Sequence, residues 1–178
     1  MRQLTNDPAQ EFHPHWSPDG TRVVFQSGRS GTDEIYVLSK DKGEPSGETP
    51  VQLTFDEQGH DPRWSPDGRL IAYWRSAGGV SVVPSGGGHP RRLTDFGRRP
   101  MWSKDSEAVY FRVHPRDDRA GIWSVSLSGG EPKRLVRFDD PMRPPLYLEW
   151  SADGETFFFT LTEFEADVWV MELENSER

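Results

Sequence analysis

Nearly the same five-letter word stands four times in this chain. It reads Trp-Ser-Pro-Asp-Gly at residues 16–20 and 64–68, Trp-Ser-Lys-Asp-Ser at 102–106 and Trp-Ser-Ala-Asp-Gly at 150–154. The copies begin 48, 38 and 48 residues apart. A period of this length marks one supersecondary unit repeated along the chain, each copy burying its apolar face on the next. It also weakens the reading of any repeated residue as a catalyst.

The second copy shows what the unit is. His60-Asp61-Pro62-Arg63-Trp64 is a short extended segment, since Pro62 argues against a helix. Ser65-Pro66-Asp67-Gly68 is a turn: proline presets φ, aspartate bonds its neighbouring backbone and glycine accepts positive φ. Strands are then predicted over 69–75, 80–83 and 91–94, divided by turns at 76–79 and 85–88. The other copies keep the order, with second strands over 22–26, 108–113 and 156–161 and third strands over 34–38, 121–127 and 167–173. Closing segments recur at 51–54 and 133–136. No segment holds a 3.6-residue period of useful length, which excludes helical solenoids. Four antiparallel strands per unit, stacked about an axis, make an all-β β-propeller. The repeats fall at about 6–54, 55–94, 95–136 and 137–178 of a single domain.

Composition agrees. Only 33% of the residues are hydrophobic, so the buried area comes in large aromatic pieces, 7 Trp and 10 Phe. A net charge of −8 disfavours nucleic acid as a partner. The chain has no cysteine, hence no disulfide and no thiolate metal site. No apolar run approaches the ~20 residues of a membrane span, and none reads as a signal peptide. The expected location is cytoplasmic by default, or periplasmic for a piece cut from an exported parent.

These residues resemble the TolB-like, or WD40-like PD40, propeller repeat. Copy one carries Pro14-His15-Trp16-Ser17-Pro18-Asp19-Gly20, Val24-Phe25-Gln26-Ser27, Ile35-Tyr36 and Leu53-Thr54. Copy three departs at Lys104 and Ser106, and copy four at Leu148 and Ala152. The resemblance implies a non-enzymatic module that binds a protein or peptide, with no cofactor.

Gln3-Leu4-Thr5 reads as an outermost strand with no blade before it, while the last copy has three strands. The amino-terminal strand (residues 2–5) is therefore expected to complete the last blade. It would do so within its own chain or by exchange with a second copy, giving an eight-bladed homodimer. Since propellers of the resembled family usually have six or seven blades, a fragment of a longer ring is the other expectation.

Asp19, Asp67, Asp105 and Asp153 read as turn-holding residues, and Trp16, Trp64, Trp102 and Trp150 as packing between blades. The starts of the first strands differ from copy to copy beside a constant tryptophan, as a site grafted on a repeat would. They supply the binding candidates Glu11, His13, His60, Asp61, Arg98, Arg99 and Tyr147, expected at the central channel. His13, His15 and His60 form an alternative metal set with Glu11 or Asp61, for a metal-dependent lyase or hydrolase. Oligogalacturonate lyases, propellers of similar repeat, hold a metal in this way. No Gly-x-Ser-x-Gly and no phosphate-binding glycine loop is present.

Overall fold

A computed structural model describes residues 3–41, 44–45, 49–55, 58–114, 117–138, 150–153, 156–162 and 166–172 of the 178. Tyr147, a predicted binding residue, lies outside them. The described residues are all-β and include no helix, so none long and apolar enough to cross a membrane. The chain divides into two compact units, 1–100 and 101–178.

The first unit holds two antiparallel sheets. One runs β1 (Glu11–Trp16), β2 (Arg22–Ser27), β3 (Glu34–Asp41), with β4 (Glu44–Pro45) and β5 (Val51–Gln52) both on β3. The other runs β6 (Gly59–Trp64), β7 (Leu70–Arg75), β8 (Val80–Pro84), β9 (Arg91–Arg92). Their core joins Val24, Ile35, Val37 and Leu53 of the first repeat to Trp64, Ile71, Tyr73 and Val83 of the second. The Arg22 guanidinium lies 4.6 Å from the Trp64 ring centroid, closing that contact with a cation–π pair.

A third sheet runs β10 (Arg98–Trp102), β11 (Ala108–Val113), β12 (Gly121–Ser126), β13 (Lys133–Arg137). The fourth has three strands, β14 (Trp150–Ala152), β15 (Thr156–Thr162) and β16 (Ala166–Glu172). In the second unit Trp150 packs with Ile122, Val136, Phe157 and Phe159. Repeated tryptophans thus serve as packing at Trp64, Trp102 and Trp150, which are 3–7% exposed. Trp16 departs from that expectation at 46% exposure.

The words between first and second strands are built alike. Ser17, Ser65 and Ser103 each donate a hydroxyl to Asp19, Asp67 and Asp105 at 2.6 Å. Each carboxylate also accepts the backbone N–H two residues on, from Thr21, Arg69 and Glu107. Each serine oxygen then accepts the first N–H of the next strand. Gly20 and Gly68 stand at φ 69° and 73°, and Ser106 takes the same left-handed position at 63°.

The expected amino-terminal strand is not there. Gln3, Leu4 and Thr5 form no strand. Leu4 and Thr5 line a cavity of about 230 Å³ on the first sheet, against Phe12, Pro14, Val23 and Phe25. The segment is held by charge and hydroxyl contacts. Thr5 donates to Glu11, and Arg29 pairs with Glu11 and, at 3.9 Å, with Asp7.

Candidate functional site

Three of the predicted site residues, His13, Asp61 and Arg99, sit on one repeated backbone device. In β1, Phe12 opposes Gln26 and His15 opposes Val24, so His13 and Pro14 together face Phe25. In β6, His60 opposes Trp74 and Arg63 opposes Ala72, so Asp61 and Pro62 together face Tyr73. Both are β-bulges, which bend a strand and re-aim a side chain. His13, Asp61 and Arg99 stand at φ 53°, 50° and 51°, each immediately before a proline. A left-handed residue costs about 1–2 kcal/mol, and a following proline ordinarily drives its neighbour to extended backbone. Three different side chains are therefore held on the same strained backbone, three residues ahead of a tryptophan.

Asp61 is the buried member, its side chain 6% exposed. Its Oδ1 is 3.0 Å from Arg63 Nη2 and 3.7 Å from His13 Nδ1, yet no aligned hydrogen bond reaches that oxygen. Its backbone N–H points to Gln26 Oε1 across the two sheets, at 3.4 Å. His13 is 46% exposed beside it.

His60 is brought against Trp74, Ser76 and Asp33, which sequence reading missed, and near the predicted Arg98. Its ring stacks on Trp74 at 4.3 Å, and Arg98 lies 5.1 Å from the same indole. Its Nε2 is 2.6 Å from Ser76 Oγ, and its Nδ1 is 3.8 Å from Asp33 Oδ2. Burial lowers the His60 pKa, with Asp33 opposing the shift. The order Asp33–His60–Ser76 is that of an orienting acid, base and nucleophile, with an acid–base separation beyond hydrogen-bond length. The Ser76 N–H is engaged by the Gln58 carbonyl, which removes one donor from any oxyanion. Ser76 had read as plain turn, and Asp33 stands 27 residues ahead of His60.

The three imidazoles of the expected metal set serve three separate partners. His15 Nδ1 accepts the Trp64 backbone N–H at 3.3 Å, a link between β1 and β6. Burial, and then Arg63, lower its pKa to about 4, against the pull of Asp61, so it is neutral there. Among the described residues no group of three or more His, Asp and Glu is placed to hold one ion. Glu11 is committed to Arg29 and Thr5.

No family model matches the chain. A stretch of 44 residues, 25% of the chain, is 39% identical to the Tol-Pal system protein TolB of Bordetella pertussis, covering 10% of it. A stretch of 113 residues, 56% of the chain, is 28% identical to the uncharacterized peptidase YuxL of Bacillus subtilis, covering 17% of it. In structure the chain is similar to TolB from Acinetobacter baumannii, with a TM-score of 0.73 at 20% identity over 97% of this chain and 43% of that one. The matches span well under two thirds of each relative's own length. At such identity the structural likeness speaks for the fold.

Proposed function

Taking as premise that the chain is a TolB-like β-propeller, we propose that it is a non-enzymatic scaffold. It binds a protein or peptide at the end of its sheets where the first strands begin. The observation that carries this reading is the shared left-handed backbone at His13, Asp61 and Arg99. A backbone strained alike in three repeats, with a different side chain on each, separates a constant frame from variable contacts. The His13 imidazole, 46% exposed beside the buried Asp61–Arg63 ion pair, offers a partner a polar contact. The His60–Trp74–Arg98 stack offers an aromatic and cationic neighbour of the kind enriched at interfaces.

The test is selection of peptides from a displayed library on the purified chain. The expected result is binders that weaken at least about tenfold on His13→Ala, Asp61→Asn or Arg98→Ala, and not on Thr21→Ala in the first turn. Binders insensitive to all three site changes overturn the reading.

One observation favours a second reading, acyl-transfer hydrolysis. Ser76 Oγ would attack a carbonyl as His60 Nε2 takes its proton, with Asp33 orienting the imidazole. The proton then goes to the leaving group, and water releases the acyl-serine. Hydrolysis of an activated ester, lost in Ser76→Ala, would replace the scaffold reading; a rate equal in wild type and Ser76→Ala discards the hydrolase.

A further inference from the structure

Phe12, His60 and Arg98 hold the same place in their repeats, directly ahead of the left-handed residue. Two of them are turned onto one ring. The His60 imidazole stacks on the Trp74 indole at 4.3 Å, and the Arg98 guanidinium lies 5.1 Å from that indole. His60, Trp74 and Arg98 all belong to the first compact unit.

Arg98 differs from its neighbours in what it pairs with. Arg29, Arg63 and Arg69 each meet a carboxylate, those of Glu11, Asp61 and Asp67. Arg98 is exposed, and no carboxylate among the described residues pairs with it, although the chain carries a net charge of −8. A guanidinium laid on an aromatic face keeps its N–H fork free for a planar acceptor.

We infer that Arg98, displayed on Trp74, binds a carboxylate of the partner peptide; this rests on the scaffold reading and names the chemistry of its ligand. The charges around His60 favour that anion. Asp33, 3.8 Å from the His60 Nδ1, and Glu34 behind it repel the second charge of a phosphate, while a carboxylate brings only one. Burial is the main cause that lowers the His60 pKa, His13 and Arg98 add to it, and Asp33 and Glu34 oppose it. A carboxylate on Arg98 cancels part of that field, so binding favours a proton on His60. The protonated Nε2 donates to Ser76 Oγ, 2.6 Å away, and leaves the Ser76 O–H to the partner. By linkage, affinity rises as pH falls below the ordinary histidine value of 6.5.

The test is an NMR titration of the full chain with acetyl-Gly-Glu-Gly-amide, read at the Trp74 indole and the His60 ring. Acetyl-Gly-Gln-Gly-amide is the control, and acetyl-Gly-Gln-Gly with a free carboxyl terminus tells a terminal from a side-chain source. The expected result is a saturable shift with each peptide that carries a carboxylate and none with the control. Arg98→Gln weakens the binding at least about tenfold. Affinity tightens about threefold between about pH 7.5 and 5.5; that dependence is lost in His60→Gln and kept in His13→Ala. Equal shifts from the control, or indifference to Arg98→Gln, overturn the inference. Library peptides that map to this site while neither carboxylate peptide shifts it overturn the inference alone and leave the scaffold reading standing.

Discussion

At the scale of single residues, two titrations divide the acid stability of this protein. Hydrogen bonds from the Ser17 hydroxyl and from the Thr21 N–H and hydroxyl hold Asp19 down to about 2. Asp105 is lowered first by the Ser103 hydroxyl. At Asp67 burial pushes up, and the Ser65 and Arg69 hydrogen bonds outweigh it. These carboxylates stabilise the fold above their ordinary value of 3.8, and the contribution fades as pH falls toward 2. The histidines act earlier. His15 stays neutral down to about 4 in the folded chain, while the unfolded chain takes its proton near 6.5. The unfolded state therefore binds more protons between those values, and stability declines as pH falls from 6.5 to 4. A thermal-melt series should show both declines, and His15→Gln should flatten the upper one alone. A full upper decline in His15→Gln, or none in wild type, would contradict this. At Gly20 a Cβ meets nothing within 4 Å, so Gly20→Ala tests backbone alone. It should lower stability by about 1 kcal/mol in denaturant unfolding, and an unchanged midpoint would refute the left-handed turn.

At the scale of elements, the fourth strands decide what the third strands carry. A Cβ on Gly79 would lie 2.1 Å from the Thr94 carbonyl oxygen, and one on Gly121 2.0 Å from that of Val136. Both glycines also stand at positive φ, 92° and 150°. Gly79→Ala should therefore cost more than about 3 kcal/mol, read as a loss of cooperative melting temperature with weakened exchange protection over 91–94. A cost below about 1 kcal/mol would mean that β9 yields freely. Gly59 is constrained by packing instead, its Cβ position 2.9 Å from Ile35 Cγ1 in the facing sheet. Much of this level was legible. The turn words and apolar runs placed most strands within two residues, because turn chemistry and strand burial are local, while β3 runs three residues past its predicted end and β4 was not read. The bulges were not legible, since a residue ahead of proline is expected to be extended and only the sheet register exposes the extra residue at His13 and Asp61. Nor was the His60 cluster, which is assembled by Asp33 ahead of β3 and by Trp74 and Ser76 at the end of β7.

At the scale of the whole molecule, the chain separates what repeats from what varies. The repeated serine–aspartate turns lie between first and second strands, and the variable side chains lie ahead of them on the first strands, at left-handed residues. On the function proposed above, that division lets one β-propeller frame present a particular set of contacts without changing its core. The same division explains why reading the repeat revealed the fold readily and the partner hardly at all. The amino-terminal Gln-Leu-Thr reads as a strand and forms none; Leu4 and Thr5 lie against the first sheet beside the contacts of Arg29 with Asp7 and Glu11. Amide chemical-shift mapping with a peptide selected on the chain tests the division most directly. Perturbations are predicted at residues 11–13, 58–61, 76 and 98–99. Perturbations centred instead on the turns at 17–21, 65–69 and 103–107 would contradict it.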